Sequence, residues 1–156
     1  MTTTTVIEQA ITIHATPAAV LDAYVQNIDH WWPRQGKYRY SFAPAATEPG
    51  HIRFEPRLGG RYYETFADGR EYVIGHITRW EPPQRLTYTW RAPNWQAETI
   101  IDVQFTALEQ STRVVVRHSG WEEAGVPQAA AGYKVGLEEI LQHFAAWLLA
   151  ESQETN

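Results

Sequence analysis

Between residues 51 and 118 the chain reads as a succession of short strand patterns divided by turn signals, with no helical periodicity among them. Ile52-Arg53-Phe54 is strand-like, Leu58-Gly59-Gly60 turns the chain, and Arg61 to Phe66 alternates. Asp68-Gly69 is a hairpin signal of the kind that needs positive φ. Residues 71–80 make the next strand, closed by Pro82-Pro83, and residues 85–90 alternate strictly with Leu86, Tyr88 and Trp90 as the apolar set. Pro93-Asn94 turns the chain again, and residues 99–108 and 112–118 follow, joined by the polar Glu109-Gln110-Ser111. Strands this short and this closely spaced predict an antiparallel meander.

The flanks supply what must cover it. Residues 6–13, rich in Val, Ile and Thr, predict a first strand. Thr16-Pro17 then offers an N-cap followed by proline at the first helical position, ahead of an amphipathic helix over 18–26 that carries Val20, Leu21, Tyr24 and Val25. Residues 28–33 fit another helical turn, residues 34–50 have no clear period and are expected to form a mobile connection, and residues 1–5 are expected to be disordered. After Pro127 the period becomes helical, with Tyr133, Leu137, Ile140, Leu141, Phe144 and Leu148 on one stripe of a helix over 128–150. A sheet with one apolar face has to bury it, and only this last helix is long enough. The prediction is a single α+β domain over 1–156 with a helix-grip fold. A curved antiparallel sheet of six or seven strands wraps a long C-terminal helix, with one or two short helices after strand 1. Wherever helix and sheet diverge, a cavity opens.

Other classes are excluded more simply. The chain has no cysteine, hence no disulfide, no thiolate nucleophile and no Cys-bearing metal site. A net charge of −5 opposes binding to a phosphate backbone, so no nucleic acid is expected as partner. No apolar run approaches the roughly 20 residues that span a bilayer, and Met1 to Thr5 lack a secretory pattern, so neither membrane insertion nor export is expected and the cytoplasm is the default location. Aromatic residues reach 13%, a surplus that suits either a large core or an aromatic-lined cavity.

Several segments carry a family resemblance: Arg57-Leu58-Gly59-Gly60-Arg61-Tyr62-Tyr63-Glu64, Gly75-His76-Ile77, Pro82 to Trp90, His118-Ser119-Gly120-Trp121, and the opening Ile11 to Val20. With the order of elements, they resemble the birch-pollen-allergen and START-like (SRPBCC) superfamily, and within it the homologues of the C-terminal domain of the 90-kDa heat-shock-protein ATPase activator. The Gly-Trp that usually opens the last helix of that family stands here as Gly132-Tyr133. The resemblance implies the helix-grip fold and names a heat-shock chaperone as a conceivable partner. The separate N-terminal domain of the eukaryotic co-chaperone has no counterpart in this sequence, which counts against that partner.

Strand parity selects the candidate site residues. On the last strand Val114, Val116 and His118 share one face, while Arg113 and Arg117 share the other and belong in solvent, so His118 points inward. Tyr62, Glu64 and Phe66 share a phase, which carries Glu64 into the apolar interior. A salt bridge to a neighbouring arginine is the favoured partner there, and a polar pair with His118 or His76 the alternative. Tyr88 and Trp90 offer inward aromatic faces. Trp31 and Trp32, with Trp95 and Trp121 in turns, suggest a rim or lid. Tyr133, Leu137 and Phe144 supply the helix side. Spacings typical of metal motifs, nucleophile elbows and phosphate loops are missing, so neither a metal nor a cofactor is expected. The leading function is binding of a small hydrophobic or amphipathic molecule. A cyclase- or hydrolase-type enzyme, requiring His118, Glu64 or His76 to meet, is the alternative, and a co-chaperone-like interaction module the third. A homodimer is compatible with the sequence.

Overall fold

The computed structural model describes residues 5–33 and 41–154. Seven strands form one antiparallel sheet in the order β1-β7-β6-β5-β4-β3-β2: β1 Val6–Ile13, β2 Pro49–Phe54, β3 Arg61–Phe66, β4 Glu71–Glu81, β5 Arg85–Trp90, β6 Thr99–Ala107 and β7 Thr112–Ser119. Every strand from β2 to β6 pairs with its successor, as a meander requires, and β1 closes the far edge against β7 in unbroken register from Val6 opposite Ser119 to Ile13 opposite Thr112. The sheet curls around α3 (Ala130–Glu154), which a turn of 3-10 helix at Pro127–Ala129 leads into.

The first helix, α1 (Pro17–Gln26), begins where the sequence signals it. The Thr16 hydroxyl accepts the Ala19 amide at 3.2 Å, and Pro17 occupies a position whose missing N–H costs nothing. Its buried face is Val20, Leu21, Ala23, Tyr24 and Val25. After one helical turn, α2 (Ile28–Trp31), the chain passes residues 34–40, which fall outside the described residues together with 1–4. The expected structureless stretch ends earlier than its composition suggests, since Pro49 already pairs with Phe66 in β2.

Alternation sorts the sheet into two faces. Tyr62, Glu64 and Phe66 are buried on β3, Leu86, Tyr88 and Trp90 on β5, Thr99, Ile101, Val103 and Phe105 on β6, and Val114, Val116 and His118 on β7. β4 breaks the rule. Between its pairings of Val73 with Tyr63 and Gly75 with Tyr62 it carries one residue more than β3 does, a bulge that reverses the side-chain phase. Ile74 and Ile77 both face inward as a result, and His76 is thrown outward. The expectation that His76 contributes to the interior is therefore corrected: one inserted residue in a strand moves every later side chain to the opposite face.

Candidate functional site

Between the inner face of the sheet and α3 lies a cavity of about 450 Å³, within the usual range for small-molecule sites. Its walls are apolar and largely aromatic. Tyr88 and Trp90 on β5 form one side, Trp32 and Phe42 the rim, Tyr24 on α1 the deep end, and Tyr133, Leu137 and Ile140 the helix side. Ring contacts tie the rim together, with Trp32 6.1 Å and Phe42 5.5 Å from Trp90 between centroids. Between these side chains the same wall carries small residues, Gly132 and Gly136 on α3 and Ala129 in the 3-10 turn.

Two buried polar side chains enter this apolar lining. His118, 4% exposed, has its Nε2 2.6 Å from Thr99 Oγ1, and the Thr99 hydroxyl donates its single proton to the Trp90 carbonyl at 2.6 Å. Thr99 can then only accept from the imidazole, so Nε2 carries the hydrogen and Nδ1 is an acceptor with no partner among the described residues. Burial lowers the His118 pKa to about 3, so the ring is neutral at ordinary pH. Trp121 packs 4.2 Å from the ring, its indole N–H donating to the His118 carbonyl at 3.0 Å.

Glu64, 1% exposed, is the other polar residue. Its carboxylate accepts the Phe42 amide at 2.8 Å and the Ser41 hydroxyl. The favoured arginine salt bridge is therefore corrected. Arg61 instead engages Glu55 and Glu71, and Arg70 engages Asp68, all outside the cavity. An arginine on β3 or its turn points away from the face that buries Glu64, and the segment at 41–42 reaches over the sheet to supply the donors. Glu64 and His118 thus share the cavity lining, each with partners of its own and four strands apart.

The phenols deepen the apolar character. Tyr24 and Tyr88 hydroxyls meet at 2.8 Å, and burial raises the Tyr24 pKa to about 12, the bond to Tyr88 offsetting part of the rise. Burial also pushes Tyr88, Tyr62 and Tyr133 upward. Tyr133 lies beside Trp90, ring centroids 6.3 Å apart, and the buried Trp90 Nε1 has no hydrogen-bond partner among the described residues.

Of the residues singled out from the sequence, Trp32, Glu64, Tyr88, Trp90, His118, Tyr133 and Leu137 line the cavity. Trp31, Tyr62, Trp121 and Phe144 do not; they are core. Trp31 is no rim residue, since its ring packs 4.7 Å from Phe144 and its Nε1 donates to the Ala23 carbonyl. Trp121 is likewise fully buried, not part of a lid. Sequence reasoning missed Tyr24, Phe42, Ser41, Thr99 and the two helix glycines. Thr99 was within reach, because counting back in twos from Ile101 places it inside. Ser41 and Phe42 gave no periodic signal. Among the described residues no cluster of His, Asp or Glu is arranged to hold a metal ion, and no helix is long and apolar enough to cross a membrane.

Comparison with known proteins agrees with this architecture. The family described as activator of Hsp90 ATPase homolog 1-like protein matches residues 14–148. No curated protein matches the chain. Among solved structures, an anthrahydroquino-γ-pyrone synthase, Txn09, is 27% identical, covering 90% of this chain and 95% of its own, with a TM-score of 0.63. A protein from Rhodobacter sphaeroides is 23% identical over 94% of this chain and 93% of its own, with a TM-score of 0.66. CalU16 from Micromonospora echinospora, at 20% identity over 93% of this chain and 74% of its own, has a TM-score of 0.64.

Proposed function

Because the chain belongs to the activator of Hsp90 ATPase homolog 1-like family, a name that prescribes no chemistry, we propose a function from its cavity: it binds a small hydrophobic or amphipathic molecule between the sheet and α3. The observation that carries this reading is the combination of about 450 Å³ of space with aromatic walls and a buried His118 whose Nδ1 has no partner among the described residues. A core under no demand but stability would close such a space, since packing loss costs about 24 cal/mol per Å³ of cavity. Its proposed place of action is the cytoplasm.

Turnover of the bound molecule is a second reading, favoured by the 27% identity to the Txn09 synthase. Two features weigh against acid–base chemistry by the residues first considered. A histidine that stays neutral down to about pH 3 is too weak a base for proton abstraction near neutrality, and both Glu64 oxygens already accept hydrogen bonds. His76 stands on the opposite face. A chaperone-activating role draws on the family name alone.

Native mass spectrometry of the purified protein, set against its denatured mass, tests the binding reading. A discrete added mass, lost on denaturation and restored by a saturable ligand at low-micromolar concentration, is the expected result. A protein that stays empty when challenged with extracts and with apolar aromatic probes overturns it.

A further inference from the structure

Resting on that reading, the chemistry of the lining narrows the ligand class. The helix side of the cavity presents Gly132 and Gly136, four residues apart on α3, beside the side chains of Tyr133, Leu137 and Ile140. A Cβ placed on Gly132 would meet nothing within 4 Å, so no packing demand keeps that side chain absent. Glycine inside a helix costs about 1 kcal/mol relative to alanine, and here the two glycines leave room between larger side chains at the cavity. The rings of Tyr88, Trp90, Trp32, Phe42 and Tyr133 line the same space. Aromatic walls suit a flat aromatic guest, which can stack on or meet these rings edge-to-face.

The polar groups set its rim. His118 is buried apart from the surface it lends to the cavity, and its Nε2–H is committed to Thr99, so Nδ1 offers one hydrogen-bond acceptor and no donor. Glu64 adds a carboxylate, and no lysine or arginine is among the lining residues described. An anionic ligand would find no counter-charge here and would leave water to sit near a carboxylate. We infer that the cavity selects a flat, uncharged aromatic molecule bearing a hydroxyl group, which donates to Nδ1 of His118 while the ring system packs among the aromatic walls. A methyl ether of the same molecule leaves the Nδ1 acceptor unpaired, and a carboxylate in place of the hydroxyl is repelled.

The test uses three probes that differ only in one substituent at the same ring position, naphthol, methoxynaphthalene and naphthoate, titrated into the intact protein by calorimetry at neutral pH. Naphthol is expected to bind about tenfold more tightly than methoxynaphthalene, the worth of one net hydrogen bond, and naphthoate more weakly still. In His118→Phe the preference for naphthol over methoxynaphthalene disappears. Thr99 still donates to the Trp90 carbonyl in that variant, which favours folding, and the ranking of the three probes on the unaltered protein stands if the variant does not fold. Equal binding of naphthol and its ether, tighter binding of naphthoate, or a hydroxyl preference that survives in a folded His118→Phe overturns the inference and leaves uptake of aromatic molecules standing. Failure of all three probes to bind overturns both.

Discussion

Thr99 Oγ1 and His118 Nε2 lie 2.6 Å apart on neighbouring strands, and the carbonyl of Trp90 on a third strand decides which of them donates. The relay runs His118 N–H to Thr99 oxygen, then Thr99 O–H to Trp90 carbonyl, across β7, β6 and β5. Replacing Thr99 with valine keeps the shape and leaves the imidazole N–H with no acceptor in a buried site. A loss of about 1–3 kcal/mol is expected from urea unfolding, with the slope unchanged, whereas Thr99→Ser should retain most of the stability. Equal stability of the valine variant would mean that the relay is not formed.

The same histidine gives folding a pH dependence whose sign can be worked out. In the folded chain His118 stays neutral to about pH 3, while in the unfolded chain it takes up a proton near 6.5. Between those values the unfolded state binds one proton more, so stability rises with pH through that window and is complete above it. Lowering the pH from 7 to 5 is expected to cost about 2 kcal/mol through this residue, at about 1.4 kcal/mol per unit. Urea unfolding of the unaltered protein and of His118→Phe at both pH values isolates the effect, because the other groups titrate alike in both. Parallel losses in the two proteins would sink the assignment.

Much of this arrangement was legible in the sequence because a strand has a fixed period. The two arginines of β7 are enough to turn His118 inward, and the phase of Tyr62 and Phe66 is enough to bury Glu64. Periodicity fails where the backbone departs from it. The bulge on β4 inverts His76, and its one sequence signal, Gly75 inside an otherwise regular strand, marks a departure without fixing which side chains it turns. It fails again where a partner comes from an aperiodic segment, as Ser41 and Phe42 come to Glu64. Core and cavity aromatics are also alike in sequence. Phe144 and Tyr133 share a helix stripe, yet Phe144 packs on Tyr24 and Trp31, and Tyr133 faces the open space.

Gly75 sits in the β4 bulge where the strand passes β5 too closely for any side chain. A Cβ there would stand 1.8 Å from the Thr89 carbonyl oxygen, and that oxygen belongs to backbone that cannot swing aside. Gly59, by contrast, has φ of +80° and open space around its α-carbon. Gly59→Ala should therefore cost about 1 kcal/mol from backbone conformation alone, and Gly75→Ala several times that, reading out as failure to give folded protein or as a far larger fall in Tm. Comparable melting temperatures for the two variants would contradict the close passage of β4 and β5.

Glu64 is expected to act on the Ser41–Phe42 segment before it acts on any ligand. Its Oε1 takes the Phe42 amide proton at 2.8 Å, and its other oxygen takes the Ser41 hydroxyl, so one buried carboxylate holds two consecutive residues of the rim. Hydrogen bonds to a charged group are worth about 1.5–3 kcal/mol, which corresponds to tenfold or more in local opening. Glu64→Gln keeps a carbonyl oxygen for the amide and an NH2 that the Ser41 oxygen can accept, so the tether survives in altered form. Glu64→Leu keeps the volume and removes both acceptors. Hydrogen exchange at the Phe42 amide should therefore accelerate by roughly tenfold or more in Glu64→Leu and much less in Glu64→Gln, while amides of β6 and β7 exchange as before. If Phe42 exchanges at the same rate in all three proteins, the rim is held by other contacts and Glu64 is left to serve the cavity alone.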